Sequence, residues 1–212
     1  MTNMALSKIS LGQLAPNVPP VDVYVFNTPT LRYYLDWQLA QSIIQNAIIA
    51  GVQKYLQTVA QNKELTAREL APSLDIPLSS AVTAPNVSQL SDIAWDWSVS
   101  ASGTLTSPNV LLNYTLSGKN IVWSIFGLYW LTPNPQIQWI RSKNGVYVGP
   151  WIDVQTDLQK GLLLFDSPVV LAKDDQFILE SATTVTAPFT DKFAILGVVV
   201  EPFGQTATLK SP

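Results

Sequence analysis

The chain of 212 residues contains no cysteine and no histidine. Without cysteine there can be no disulfide and no thiolate metal site. Without histidine the chain lacks the commonest general base, the usual zinc ligand and the Ser-His-Asp constellation. We therefore predict a protein that is not an enzyme and that uses neither a metal nor a cofactor.

Charge is also scarce. Charged residues make up 13% of the chain and hydrophobic residues 47%, whereas roughly 25% charged residues are typical of a soluble domain. Permanent interfaces are depleted in charge, so the composition predicts a homo-oligomer or an assembly subunit. The 12 basic residues are scattered singly among 15 acidic ones. Because nucleic-acid binding needs Lys and Arg gathered on one face, we expect no nucleic-acid partner.

Long hydrophobic runs are missing as well. Residues 1–10 contain one lysine and no apolar run of the length that a signal peptide needs, so we expect no signal peptide. The most apolar helical stretch is interrupted by several glutamines well before the roughly 20 residues that a bilayer requires. We therefore expect no insertion into a membrane.

One long α-helix is the first element that the pattern predicts. Thr28-Pro29 is a strong helix start, because threonine can cap a free N–H and proline at the first helical position loses no hydrogen bond. No proline follows until after Gln61, which allows a helix of about 33 residues. Apolar residues recur along it at helical spacing: Leu31, Leu35, Leu39, Ile44, Ile48, Val52, Leu56 and Val59.

A helix this long cannot bury its apolar stripe against itself, so it packs either on copies of itself or along a β domain. We favour self-association, with a trimer ahead of a dimer, and predict the stripe as the oligomer interface; docking along the β domain is the alternative. Another face carries a glutamine ridge at multiples of four, interrupted by Ile49: Gln41, Gln45, Gln53, Gln57 and Gln61.

The segments around this helix are predicted from local signals. Residues 1–27 contain three prolines and read as an extended arm, in which Val21–Phe26 forms a short strand or docks on a neighbour. Thr66-Ala67-Arg68-Glu69 matches a capping box, so a short second helix completes an oligomerisation segment over 28–70. Residues 71–90, rich in Pro, Ser and Thr, read as a linker.

From residue 91 the hydrophobic period changes from about 3.6 to 2. About eight strands, separated by Pro, Gly, Asn and Asp, predict a mainly β domain over 91–204, an antiparallel sandwich with a jelly roll as first choice, and a tail over 205–212. Asn144-Gly145 predicts a hairpin turn. Trp123 and Trp130 are seven residues apart, which predicts opposite faces of one strand and at least one indole outside the core.

Two kinds of side chain could form a site. Asp153 with Asp157, Asp174 with Asp175, or Asp92 with Asp96 could supply the acid and base of a glycoside hydrolase. We favour structural roles for them, because residues 173–176 read as a turn in which Asp makes local hydrogen bonds. Trp151 follows Gly149-Pro150 and is the best candidate for an exposed aromatic, so Trp151 and Asp153 form a possible glycan-binding pair.

The β domain resembles the single jelly-roll domains of viral virion proteins, which are capsid, decoration or receptor-binding subunits. The stretches that carry the resemblance are Ile121–Leu131, Gln138–Arg141, Gly161–Phe165, Pro168–Leu171 and Ala194–Pro202. It implies a structural subunit of a virion assembled in the host cytoplasm, acting through homo-oligomerisation and contacts with other shell proteins. A glycan-binding receptor subunit and a carbohydrate-active enzyme using the Asp pairs are the alternatives.

Overall fold

The computed structural model describes residues 6–13, 20–26, 38–60, 63–70, 75, 87–90, 95–99, 103–116, 120–131, 134–145, 147–158, 161–185 and 188–205. In this part of the chain, thirteen strands form an eight-stranded and a five-stranded sheet. The strands are β1 (Leu6–Ser10), β2 (Asp22–Phe26), β3 (Glu64–Glu69), β4 (Val87–Leu90), β5 (Trp95–Val99), β6 (Asn109–Thr115), β7 (Val122–Trp130), β8 (Trp139–Asn144), β9 (Tyr147–Val148), β10 (Ile152–Asp153), β11 (Leu162–Leu171), β12 (Gln176–Ala182) and β13 (Phe189–Pro202). The helices are α1 (Gln38–Thr58) and the short α2 (Val154–Asp157), and a 3-10 turn covers Leu11–Gln13.

From β5 onward the strands pair in a nested order. β5 pairs with β13, β6 with β12, β7 with β11, and β8 with both β9 and β10, all antiparallel. Two further pairings, β13 with β7 and β12 with β8, join these pairs side by side. As a result β5, β7, β11 and β13 lie in the larger sheet, while β6, β8, β10 and β12 lie in the smaller one.

One apolar core lies between the two sheets. It contains Phe193 from the larger sheet and Ile140 and Phe177 from the smaller one. Across this core the rings of Tyr114 (β6) and Trp123 (β7) stack with centroids 5.0 Å apart and planes 5° apart. Alternating strand residues therefore bury a common interior, which confirms the sequence prediction of a mainly β protein.

A second core lies on the opposite face of the larger sheet, under α1. Ile44, Ile48 and Val52 of the helix are buried there together with Val122 of β7 and Val200 of β13. The central strands of the larger sheet are therefore covered on both faces, and strands of this kind read as nearly continuous apolar runs. Helix α1 thus forms a third layer, and the burial of both faces of these strands explains in part why the chain has few charged residues.

The docking of α1 corrects the predicted oligomer interface. Ile44, Ile48, Val52 and Leu56 are at most 8% exposed within the single chain, and Val59 packs against the same core. The helix satisfies its apolar stripe on its own sheet, as the alternative interpretation held. The predicted helix start at Thr28-Pro29, Leu31, Leu35 and the side chain of Leu39 lie outside the described residues.

The predicted capping box is also wrong, because residues 66–69 belong to a strand. β3 pairs in parallel with β2 on one side and antiparallel with β13 on the other, so its backbone groups take part in ladders on both edges. These tertiary pairings override a local helix signal. Asp22–Phe26 confirms the predicted short strand, but it pairs with β1 and β3 inside the sheet.

Strand pairing crosses the predicted domain boundaries. β3 from the predicted oligomerisation segment pairs with β13 of the β domain, and β4 lies within the predicted linker and pairs with β5. The described residues between 95 and 202 form nine strands, whereas the sequence predicted about eight. The additional strand arises at Gly149-Pro150, which separates β9 from β10. Residues 206–212 of the predicted tail lie outside the described residues.

Trp123 and Trp130 both lie in the core between the sheets, which corrects the prediction of opposite faces. The reason is a β-bulge. Leu196 pairs with Gly127, but Gly197 pairs with Ile125, so the intervening residue of β7 has no partner and the phase of the strand reverses. Gly127 is required there, because a Cβ would lie 2.5 Å from the Leu163 carbonyl oxygen.

The predicted Asn144-Gly145 hairpin is confirmed. Gly145 has a φ of +55°, and the flanking strands pair Lys143 with Val148 and Asn144 with Tyr147. Only glycine and a few small polar residues adopt this backbone conformation at little cost. The hairpin places β9 beside β8 in the smaller sheet.

Candidate functional site

The outer face of the smaller sheet carries a group of ion-paired side chains. Arg141 and Lys143 are two residues apart on β8 and so point to the same face. Glu180 of β12 lies opposite Arg141 in the register. Its Oε2 accepts a hydrogen bond from Arg141 Nε at 2.6 Å, and its Oε1 accepts one from Lys143 Nζ at 2.6 Å. Two cations therefore share one carboxylate.

Trp151 completes this group. Its ring lies over the guanidinium of Arg141, with Cζ 4.3 Å from the ring centroid, which is the geometry of a cation–π contact. The indole is half-buried. We call Arg141, Lys143, Glu180 and Trp151 the Arg141 cluster. It has the ingredients of a polar binding surface: an aromatic face, fixed cations and a buried carboxylate that orients them.

Asp153, the other predicted glycan-binding residue, has a local structural role. Its Oδ1 accepts hydrogen bonds from the backbone N–H of Gln155 at 2.9 Å and of Thr156 at 3.4 Å, so it caps α2. No contact among the described residues joins the Asp153 side chain to the Arg141 cluster. The sequence predicted Trp151 as an exposed aromatic, whereas the structure leaves it half-buried against Arg141. The contacts with Arg141, Lys143 and Glu180 were not predicted, although the alternation of Arg141 and Lys143 along a strand was the available signal.

Among the other predicted carboxylate pairs, Asp174 and Asp175 have structural roles in a turn. Asp174 has a φ of +68° in the turn before β12, and Asp175 Oδ2 accepts from Ala172 N at 2.8 Å. The turn predicted for residues 173–176 is confirmed. Asp157 is exposed in α2, while Asp92 and the side chain of Asp96 lie outside the described residues. Within the described ranges, no group of three or more metal-ligating side chains comes together.

A buried ion-pair network joins β3 and β13 to the connection that follows β3. Arg68 donates from Nη1 and Nη2 to the Asp75 carboxylate at 2.9 and 2.7 Å and from Nε to Glu201 Oε1 at 3.1 Å. The two carboxylate side chains are 2% and 1% exposed. Burial acts to lower the pKa of Arg68, but its hydrogen bonds to Asp75 and the charges of both carboxylates outweigh burial and raise this pKa. Tyr114 donates its hydroxyl to the Asp75 carbonyl at 3.2 Å, which links this network to the smaller sheet.

Asp191 is a second buried carboxylate with a structural role. Its Oδ2 accepts hydrogen bonds from the backbone N–H of Gln136 and of Ile137, each at 3.0 Å. Burial raises the pKa of Asp191, and the two backbone donors partly oppose that rise. The side chain fixes the segment that enters β8, and thereby the strand that carries Arg141.

The outward face of α1 is polar and almost free of charge. Gln45, Gln53 and Gln57 of the glutamine ridge are exposed, whereas Gln61 and the side chain of Gln41 lie outside the described residues. Lys54 lies beside the ridge, and its Nζ is 3.6 Å from Asp175 Oδ2. This face is a second candidate surface, because the helix presents it away from the sheet.

A scan against protein-family models, a search of curated proteins and a search of solved structures each gave no match to this chain. Among the described helices, none is long and apolar enough to cross a membrane.

Proposed function

We propose that the protein is a jelly-roll subunit of a virion-type shell, of the decoration or minor-capsid kind, that acts through homo-oligomerisation and contacts with other shell proteins. The observation that carries the proposal is the nested pairing of β5 with β13, β6 with β12 and β7 with β11. This is the order expected when one long two-stranded ribbon rolls up into two facing sheets, as in a jelly roll.

The glutamine ridge supports the homo-oligomeric part of the proposal. A glutamine amide both donates and accepts hydrogen bonds, so a ridge of amides is complementary to a copy of itself. Symmetric oligomers bring identical surface patches together, and there a row of like charges would repel. Gln45, Gln53 and Gln57 therefore provide a surface for a two-fold or three-fold axis, in place of the apolar stripe that α1 buries on its own sheet. We expect a trimer.

The test is the mass of the intact chain in solution, measured by sedimentation velocity over a series of micromolar concentrations. An oligomer whose mass stays constant over the series supports the proposal. A monomer at every concentration contradicts it.

A receptor-binding subunit that attaches to glycans is the second candidate, and one observation favours it. Trp151 is half-buried on the outer face of the smaller sheet and is held in place by Arg141. Ordered aromatic rings at a surface are favoured binding anchors. A carbohydrate-active enzyme has less support, because the carboxylates of Asp153 and Asp175 make local backbone hydrogen bonds.

A further inference from the structure

We infer that the Arg141 cluster binds the anionic group of an acidic saccharide, a carboxylate or a sulfate carried on a sugar ring. This inference deepens the glycan-attachment role of the second candidate function and rests on that role; it is independent of the assembly role.

The charges of the cluster leave a cation unbalanced. Glu180 is 5% exposed and takes one hydrogen bond from Arg141 Nε and one from Lys143 Nζ. Arg141 Nη1 and Nη2 donate to no residue in the described part of the chain. The Arg141 and Lys143 side chains are 18% and 24% exposed, so a ligand in solution can reach them. Two cations against one carboxylate leave one net positive charge.

The remaining donors have a geometry that suits a planar or tetrahedral anion. An arginine held through Nε and stacked on an aromatic ring cannot swing freely, so its terminal amino groups form a preorganised fork. Forks of this kind bind carboxylates and sulfate-like groups through two parallel hydrogen bonds. The Nζ of Lys143 can supply a third donor, because only one of its three protons is used by Glu180.

The apolar neighbours indicate that the anion is carried on a ring. Trp151 lies directly against Arg141, and Val148, which is 49% exposed, pairs with Lys143 in the register. Flat aromatic and apolar side chains suit the C–H faces of a sugar, whereas a free ion gains nothing from them. A polyanion such as nucleic acid would need many more cations than this cluster has.

The experiment is a calorimetric titration of the intact chain with four probes: 3′-sialyllactose, 3′-sulfated lactose, lactose and sodium sulfate. Because the acidic group makes charged hydrogen bonds that lactose cannot make, we expect at least one acidic sugar to bind about tenfold or more tightly than lactose. We also expect sodium sulfate alone to bind more weakly than that sugar. If lactose binds as tightly as the acidic sugars, the anionic assignment is wrong while glycan attachment stands. If no saccharide binds, both are wrong, and if sodium sulfate binds as tightly as the sugars, the site is for an ion alone.

Matched variants locate the site. Lys143→Gln keeps Glu180 paired with Arg141, and its control is Lys8→Gln, which removes a lysine that pairs with Asp22 on the larger sheet. Trp151→Ala has Phe203→Ala as its control, since Phe203 is also a surface aromatic, 45% exposed. We expect both cluster variants to weaken binding of the acidic sugar several-fold and both controls to leave it unchanged, with thermal unfolding confirming that each variant is folded. Equal binding by cluster variants and controls would overturn the assignment.

Discussion

Gly51 of α1 lies so close to Val200 of β13 that a Cβ at position 51 would be 2.9 Å from Val200 Cγ2 and 3.4 Å from Ser124 Cβ. Ala47, one turn earlier on the same face, is fully buried. Two small residues one turn apart let the helix backbone approach the sheet, and the larger side chains on either side then fill the second core. The helix is thus fitted to its own sheet.

Gly51→Leu is therefore expected to destabilise the protein. Leucine favours helix over glycine by somewhat less than 1 kcal/mol, but overpacking a closed interface costs about 1–3 kcal/mol. Because the clash is with a strand buried on both faces, the overpacking cost should exceed the gain in helix propensity, and the free energy of unfolding should fall by a net amount of about 1 kcal/mol. Urea unfolding measures it, with Asn46→Leu on the exposed face of α1 and outside the glutamine ridge as control. A Gly51→Leu protein as stable as the parent would show that α1 does not dock this closely.

The same helix shows how far sequence reasoning reaches. The period of its stripe correctly predicted a helix with one buried face, but a stripe does not say whether a sheet or another copy covers it. The second core could have been anticipated from β13, where Ala194 to Val200 is an unbroken small and apolar run, the pattern of a strand buried on both faces. Strand β3 was missed because its pairing partners are distant in sequence, and a four-residue capping pattern carries no information about them.

Removing Arg68 is expected to destabilise the fold strongly. Arg68→Met leaves the buried carboxylates of Asp75 and Glu201 without the cation that both contact. Breaking a buried ion pair on one side costs about 3–5 kcal/mol, because the remaining charge stays desolvated. The midpoint of thermal unfolding should fall accordingly. As a control, Lys8→Met breaks an exposed pair with Asp22 and should leave the midpoint unchanged. If the two variants lower the midpoint equally, the buried network does not contribute more to stability than an exposed ion pair.

Asp191 should make stability depend on pH in a predictable direction. Burial raises its pKa above the ordinary value of 3.8, so the folded state binds a proton more tightly than the unfolded state does. The contribution of this group to the free energy of unfolding is then complete below pH 3.8 and is lost as the pH rises through the raised pKa. Asp191→Asn removes this titration, so the stability of the variant relative to the parent should increase over that window and then level off.

Urea unfolding at a series of pH values measures that difference, and Asp166→Asn, which changes an exposed carboxylate of β11, is the control. If the stability of Asp191→Asn relative to the parent stays flat or falls across this window, burial does not raise the pKa of Asp191.

The candidate site was predictable only in part, for a related reason. The Gly149-Pro150 bend, a local signal, predicted Trp151 as an exposed aromatic, and the structure leaves it half-buried. Arg141 and Glu180 are 39 residues apart in sequence, and they meet only because β8 and β12 are neighbours in the smaller sheet. Asp153 was assigned to a glycan site because it is close to Trp151 in sequence, whereas a Val-Gln-Thr-Asp segment after it forms a short helix that it caps.

Charging the glutamine ridge is expected to dissociate the oligomer without unfolding the chain. Gln53→Glu with Gln57→Glu places two carboxylates one turn apart on the outward face of α1, and on a symmetry axis each would meet its own copy. Like charges that face each other at an interface disfavour association, and salt screens this repulsion. Sedimentation should show a lower mass at low salt and partial recovery at high salt. Thr104→Glu with Thr106→Glu, two exposed positions of the loop before β6, is the matched control and should keep the parental mass. If the ridge variant also keeps the parental mass at low salt, the copies meet through another surface.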